Sequence, residues 1–287
     1  MIDLKNGKIT SNRWKPFRDK IAFAIVGVAI LTSIFLHLEV FKTKKILAHD
    51  EGISYLAATG HQRHYALVQH GLYPFATWVS ASEWKKLLQP ENKFCFRTIA
   101  SDLTKHDIHP PLYFWILHVW ILIFNTHLWT GPSLNMMIAI ISILLLYRLA
   151  HDLLHDPKEA AVVSFLWASS FAVIQTSLEA RPYPLLAFFT ILFIQQIIRY
   201  ERSETGNKPH RLLFIGITIL LGMLVHYHFF LVIIGSILFL TFHLLSDHKK
   251  KWMIGLIPIF VGMLFFSLLH PHFYNSSNRY QAQIQPF

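Results

Sequence analysis

Charged residues are scarce in this chain of 287 residues: they make up only 15% of it, whereas hydrophobic residues make up 53%. Soluble domains carry roughly a quarter charged residues, so this composition lies well outside their range. The mean hydropathy of +0.40 points the same way. The composition excludes an ordinary soluble domain and predicts an all-α polytopic membrane protein.

Cysteine and recognisable metal motifs are also scarce. Cys95 is the only cysteine, which excludes an internal disulfide framework. The zinc motif HExxH is missing, and the histidine spacings fit no other zinc pattern well. We therefore expect no cofactor, with a bound divalent cation as the alternative.

The formal net charge of +10 does not indicate a nucleic-acid partner, because most Lys and Arg lie in short links between apolar segments. Seven of these segments approach the roughly 17–25 residues that cross a bilayer. They are Ile21–Val40, Leu134–Ala150, Glu159–Thr176, Pro184–Ile198, Leu212–Val225, Phe229–Leu245 and Trp252–Leu269. The basic segment 1–20 resembles the start of a signal peptide, but no cleavage site follows, which favours a retained signal anchor.

The orientation depends on Pro111–Phe124, which is apolar but short for a span. It either crosses the membrane or lies in the interface. If it does not cross, and the N-terminus is cytoplasmic, the basic short links fall inside, as the positive-inside rule requires. About seven transmembrane helices are therefore expected, in a multi-pass protein of the plasma or inner membrane.

We expect a single membrane-embedded module over residues 1–287. It would consist of a cytoplasmic N-terminus (1–20), a long external loop with juxtamembrane helices (42–133) and a six-helix bundle (134–270).

Two groups of polar residues lie in the predicted external loop. His49-Asp50-Glu51 offers carboxylates beside the membrane, although Asp50 as a helix N-cap is an alternative explanation. His109 precedes Pro110 and Pro111, which suit a helix start, where free amides favour an anion. A plain helix start is the alternative here.

Two further groups lie in predicted external turns. Arg181 and Tyr183 belong to Glu179-Ala180-Arg181-Pro182-Tyr183-Pro184, whose structural alternative is a weak ion pair at the membrane boundary. His226-Tyr227-His228 interrupts a run too long for one crossing, so it predicts the tip of a helical hairpin.

The order of these four groups resembles that of the GT-C glycosyltransferases. The closest branch is glycosyltransferase family 39, which includes the protein O-mannosyltransferases, with the related aminoarabinose transferases that act on lipid A. The resemblance covers Ile21 to about Leu269. It implies a hexosyl- or pentosyltransferase that moves a sugar from a polyprenyl phosphate to a lipid, glycan or protein acceptor on the non-cytoplasmic face. Relatives usually continue further, so a C-terminal part is expected to be absent.

The resemblance also implies roles for individual residues. Asp50 would be catalytic, and Glu51 would complete its acidic pair. Binding of the donor phosphate or substrate would fall to His109, Tyr113, Arg181, Tyr183, His226 and Tyr227.

Two alternatives from other classes are disfavoured. A lipid or sugar transporter, or a flippase, would carry ionisable or broken segments at mid-membrane, whereas these spans are nearly free of charge away from their ends. A membrane metal-oxidase would cluster its histidines on the cytoplasmic side, and the sequence shows no such cluster.

Overall fold

The computed structural model of the protein describes residues 15–69, 80–107, 109–203 and 208–270, which form thirteen helices and no strand. In chain order they are α1 (Lys15–Thr43), α2 (His49–Ala58), α3 (Gln62–Gln69), α4 (Ala81–Leu87), α5 (Phe96–His106), α6 (Leu112–Phe124), α7 (Thr130–Leu154), α8 (Pro157–Ala168), α9 (Phe171–Ser177), α10 (Tyr183–Glu201), α11 (Pro209–Val225), α12 (Phe229–Leu244) and α13 (Lys249–Leu269). The predicted all-α polytopic fold class is confirmed.

Within the described ranges, four helices are long and apolar enough to cross a bilayer: α7, α10, α13 and the Asp19–Thr43 part of α1. The bent pair α8 and α9 provides a fifth candidate, and α11 and α12 are apolar but shorter, with 17 and 16 residues. Large apolar side chains on α1 and α13, such as Phe35 and Phe260, are exposed, as expected of lipid-facing surfaces. All seven predicted segments are thus helical, and seven complete crossings remain a prediction.

The predicted span Glu159–Thr176 consists of two helices, α8 and α9, with a bend of 52° between them. The break falls at Ser169 and Ser170. The Ser169 hydroxyl donates to the Phe165 carbonyl oxygen at 2.9 Å. Adjacent serines and such back-bonding both bend helices, which gives the bend a local cause.

The predicted hairpin tip is confirmed, since α11 ends at Val225 and α12 begins at Phe229. On the other side of α11, α13 approaches closely. A Cβ atom added to Gly262 would lie 2.9 Å from the Gly216 carbonyl oxygen. Small residues allow this packing, as they commonly do between membrane helices.

Helices α7 and α10 pack side by side and run in the same direction. At their N-terminal ends they meet α2 and the turn 178–182, and we call this the site end of the bundle. At their C-terminal ends Asp152 contacts Arg199, and we call this the far end. Helix α6 packs against α2, α7 and α11.

Candidate active site

The site begins at the N-terminus of α2. The N-cap is Ala48, so the alternative explanation of Asp50 as the N-cap is wrong. Asp50 and Glu51 both lie in the first turn, where the helix dipole favours carboxylates. Glu51 Oε2 accepts the backbone N–H of Ala48 at 3.3 Å and so takes over part of the capping that alanine cannot provide.

Glu51 is fully buried and connects three segments of the chain. Its Oε2 atom lies 2.7 Å from Lys44 Nζ, and its Oε1 atom accepts the N–H of Ala180 at 3.2 Å. Lys44 Nζ also donates to the Leu178 carbonyl oxygen at 2.6 Å. Burial raises the pKa of Glu51, while Lys44 and the backbone donors oppose that rise. The ion pair therefore fixes the start of α2 against the turn 178–182.

The first turns of α7 hold the same turn from the opposite side. The Asn135 side-chain amide donates to the carbonyl oxygens of Glu179 and, at 3.1 Å, of Arg181. A Cβ atom at Gly131 would lie only 2.3 Å from Ala180 Cβ, so glycine is required for this close approach. The turn that presents Arg181 is thus fixed by both α2 and α7.

Arg181 reaches back to Asp50. Its Nη2 atom lies 3.5 Å from Asp50 Oδ2, and its Nη1 donates to the Asp50 carbonyl oxygen at 3.4 Å. The guanidinium carbon also lies 5.7 Å from the ring centroid of Tyr183. Arg181 is buried, whereas the Asp50 side chain is 59% exposed. The result is an accessible carboxylate beside a buried cation.

His109 and His226 extend the site from Tyr183. The His226 ring lies 6.0 Å from that of Tyr183 and 5.6 Å from that of His109. Asp107 Oδ1 lies 2.6 Å from His109 Nδ1 and accepts the His109 backbone N–H at 3.3 Å. His226 therefore lies between His109 and Tyr183, the residue whose ring is close to Arg181.

The electrostatic surroundings keep His226 neutral at pH 7. Burial, with the nearby His109, His228 and Arg181, lowers the pKa of His226 to about 4. His226 Nδ1 also accepts the His228 backbone N–H at 3.2 Å. A neutral ring leaves Nε2 as its N–H donor.

The structure brings five of the predicted site residues into one continuous series, namely Asp50, Arg181, Tyr183, His226 and His109. Glu51 faces away, toward Lys44. Tyr113 is fully buried in the core. Tyr227 instead contacts His270, with its hydroxyl oxygen 2.8 Å from Nε2.

Sequence reasoning missed two residues that hold this site, Lys44 and Asn135, and it gave no role to Asp107, which belongs to the same polar group as His109. Asn135 did carry a signal, because a buried amide in an apolar span is expensive unless it has a purpose. Lys44 lies at the end of the first span, where basic residues are common, and nothing in the sequence distinguishes it from its neighbour Lys45.

An apolar cavity of about 350 Å³ opens beside the site between α7, α8, α9 and α10. Tyr183 and Pro184 line it, and Trp167 and Val173 belong to its bent-helix wall. Tyr183 therefore belongs both to the continuous series of site residues and to the wall of this apolar cavity.

The described ranges contain no group of three or more His, Cys, Asp or Glu side chains that could hold a metal ion. The expectation of no cofactor stays a prediction.

A family model for dolichyl-phosphate-mannose-protein mannosyltransferases matches residues 108–274, more than half of the chain. The match spans every predicted site residue except Asp50 and Glu51. No curated protein and no solved structure matches the chain. The predicted resemblance to glycosyltransferase family 39 is confirmed. The chain belongs to the dolichyl-phosphate-mannose-protein mannosyltransferase family and is a multi-pass membrane glycosyltransferase of the mannosyltransferase type with a polyprenyl-phosphate sugar donor.

Proposed function

We propose that this protein transfers the sugar to a hydroxyl acceptor on the non-cytoplasmic face, with Asp50 as the general base. One observation carries the proposal: the exposed Asp50 carboxylate lies 3.5 Å from the buried Arg181 guanidinium, which in turn lies near the ring of Tyr183, a residue that lines an apolar cavity. Glycosyl transfer from a lipid phosphate needs a proton acceptor, a cation for the phosphate and space for an isoprenoid chain.

The reaction follows from these groups. The acceptor oxygen attacks the anomeric carbon of the sugar while the bond from that carbon to the phosphate oxygen breaks. The electron pair of the broken bond leaves with the polyprenyl phosphate, whose growing negative charge is stabilised by Arg181. Asp50 takes the proton that the acceptor hydroxyl loses.

The donor phosphate would lie between Arg181 and His109. A guanidinium binds phosphate oxygens in pairs, and an imidazole N–H can donate a hydrogen bond to a phosphate oxygen. Neutral His226, between the two, contributes one hydrogen bond through Nε2. Asp107 orients the His109 ring through Nδ1, which leaves Nε2 of His109 for the phosphate.

Glu51 serves this site by positioning it. Its carboxylate is fully buried and bound to Lys44 and Ala180, so it is not available to an acceptor hydroxyl. We therefore narrow the predicted catalytic pair to Asp50, with Glu51 holding α2 and the Arg181 turn together.

The isoprenoid chain of the donor would occupy the cavity beside Tyr183. That cavity is almost entirely apolar and lies between spanning helices, so a lipid chain can enter it from the bilayer. Tyr183 lies at the boundary, with its ring near the Arg181 cation.

The transfer reaction is tested on purified protein in nanodiscs supplied with polyprenyl-phosphate mannose labelled in the sugar. We expect release of polyprenyl phosphate together with label on an added lipid, glycan or peptide acceptor. A matched pentose donor decides between hexosyl and pentosyl transfer. The same protein is also reconstituted in liposomes. If labelled donor then crosses the liposome membrane intact and is consumed in neither preparation, the protein is a transporter, and the proposal is wrong.

The external location of the site needs its own test. Ser82, in the segment before α5, and Ser246, between α12 and α13, are both exposed. Single cysteines at these positions, in a Cys95→Ser background, should differ: an impermeant thiol reagent should label Ser82→Cys and not Ser246→Cys in intact cells. The reverse result would place the site in the cytoplasm.

A further inference from the structure

The far end of the bundle carries a second polar cavity, about 30 Å from the site end if α10 rises about 1.5 Å per residue over its 19 residues. The cavity has a volume of about 580 Å³ and is open to solvent. The C-terminal ends of α7 and α10 and the first turn of α11 surround it. Its lining comprises His151, Asp152, His155, Ile198, Arg199, Arg202, Ser203 and Arg211.

The charge of this cavity is strongly positive. Among the described residues, three arginines line it and a single carboxylate, Asp152, opposes them. The N-terminal end of α11 adds the positive end of one helix dipole, whereas the C-terminal ends of α7 and α10 present negative ends, so the positive charge comes from the arginine side chains. An anion is the ligand that such a cavity attracts.

The arginines are held in place but retain free donors. Asp152 Oδ2 accepts from Arg199 Nε at 2.7 Å, and the Asp152 carbonyl oxygen accepts from Arg202 Nη1. Arg211 Nη1 donates to the Ser203 hydroxyl at 3.0 Å. A guanidinium has five N–H donors, so each arginine keeps donors that bond to no group in the described ranges. The remaining N–H groups of the three arginines can therefore bind phosphate oxygens.

The surroundings favour a lipid over a soluble anion. Ile198 lines the cavity, and the exposed Leu153 and Leu154 follow its lining residue Asp152 in the last turn of α7. A headgroup can occupy the polar pocket while its acyl chains lie along these apolar residues. Basic pockets between transmembrane helices commonly bind anionic lipid headgroups in this way.

We propose that the far-end cavity binds the phosphate of an anionic phospholipid through Arg202 and Arg211, with Arg199 held beside them by Asp152. The positive-inside pattern predicts that this end is cytoplasmic, where anionic lipids are available. The site is separate from the donor site and does not depend on the proposed function.

Two double variants distinguish binding in this cavity from a general effect of positive charge on the protein surface. Arg202→Gln with Arg211→Gln removes two charges from the cavity. Lys249→Gln with Lys250→Gln removes two exposed charges from the same face, at the start of α13 and outside the cavity lining. Binding of phosphatidylglycerol and of phosphatidylcholine is titrated in neutral detergent, with thermal unfolding as the check on folding.

We expect saturable binding of phosphatidylglycerol, at least tenfold tighter than that of phosphatidylcholine. Each arginine near an anionic headgroup contributes about fivefold in affinity, so the arginine double variant should bind roughly thirtyfold more weakly. The lysine double variant should bind as the unmodified protein does. Equal losses in both variants, or none in either, would overturn the proposal.

Competition by inorganic phosphate distinguishes a lipid headgroup from a soluble anion, since both would present phosphate oxygens to the arginines. At matched concentrations it should compete poorly, because it lacks the acyl chains that Ile198 and the apolar surface of the bundle would contact. If inorganic phosphate displaces phosphatidylglycerol at equal concentration, the site binds a soluble anion and the lipid assignment is wrong.

Discussion

The two ends of α7 and α10 carry similar charged groups in different surroundings. At the site end Glu51 is fully buried and Arg181 is nearly so, and each contacts backbone from a distant segment. At the far end the Arg199 side chain is 54% exposed and its partner Asp152 is 25% exposed. An ion pair in water contributes little, whereas breaking a buried one leaves a charge without compensation. Substitutions that break an ion pair should therefore lower the free energy of unfolding more at the site end than at the far end.

The largest expected effect is on catalysis, at Asp50. Asp50→Asn keeps the shape of the side chain but removes the proton acceptor, so transfer should fall by about 10²–10⁴-fold. The melting temperature should fall only modestly, because Asp50 is exposed although its partner Arg181 is buried and loses its carboxylate. Glu83→Gln, at an exposed carboxylate of α4, is the control and should keep full activity. Full activity in Asp50→Asn would remove the general base from the mechanism.

The next effect is on stability, at the buried pair. Lys44→Met leaves the Glu51 carboxylate buried without its cation, which should cost about 3 kcal/mol of unfolding free energy. Adding Glu51→Gln should recover much of that loss, because no buried charge then remains. Equilibrium unfolding in mixed micelles measures Lys44→Met, Glu51→Gln and the double variant. A double variant that loses the sum of the two single losses would show that the residues act independently.

A smaller effect concerns pH and His226. Its folded pKa of about 4 lies below the ordinary value of 6.5, because burial and the nearby His109, His228 and Arg181 disfavour its protonation. Its contribution to stability is therefore present above pH 6.5 and lost as the pH falls toward 4.

His226→Gln, which cannot titrate, provides the comparison. Between pH 6.5 and pH 4 the melting temperature of the unmodified protein should fall by at least about 3 °C more than that of the variant. Parallel melting curves for the two proteins would contradict the assignment of a neutral, buried His226.

The smallest effect is expected at the far end. Asp152→Asn removes one partner of the exposed pair with Arg199, and such pairs contribute about 0–1 kcal/mol. Thermal unfolding should shift only slightly. A loss as large as that of Lys44→Met would mean that burial does not distinguish the two ends.

Much of the fold followed from the lengths of the apolar segments. The hairpin tip at His226–His228 was predictable because one apolar run was too long for a single crossing and its interruption was polar. The bend between α8 and α9 was not predicted, since hydropathy does not register Ser169 and Ser170 as a break. Helix ends that depend on tertiary contacts, such as the N-cap Ala48, were also misplaced.

The site followed from sequence only in part. Asp50, Arg181 and His109 were named from the order of motifs, whereas their geometry depends on contacts between distant segments. Glu51 contacts the Ala180 backbone 129 positions later in the chain, and no local pattern reports such a contact. The support that Lys44 gives to the site became visible only in the folded chain, and for Asn135 the sequence signalled an unusual amide without identifying its partners.

The central claim is that the site end binds the donor phosphate through Arg181. Binding of polyprenyl-phosphate sugar is therefore measured for Arg181→Ala and for Arg148→Ala, an exposed arginine of α7 outside both sites. Charged hydrogen bonds contribute about 1.5–3 kcal/mol, so Arg181→Ala should weaken binding at least about tenfold. His109→Ala should lose less, His109→Lys should keep most of the affinity, and Arg148→Ala should match the unmodified protein. Equal donor affinity in Arg181→Ala and Arg148→Ala would contradict the account.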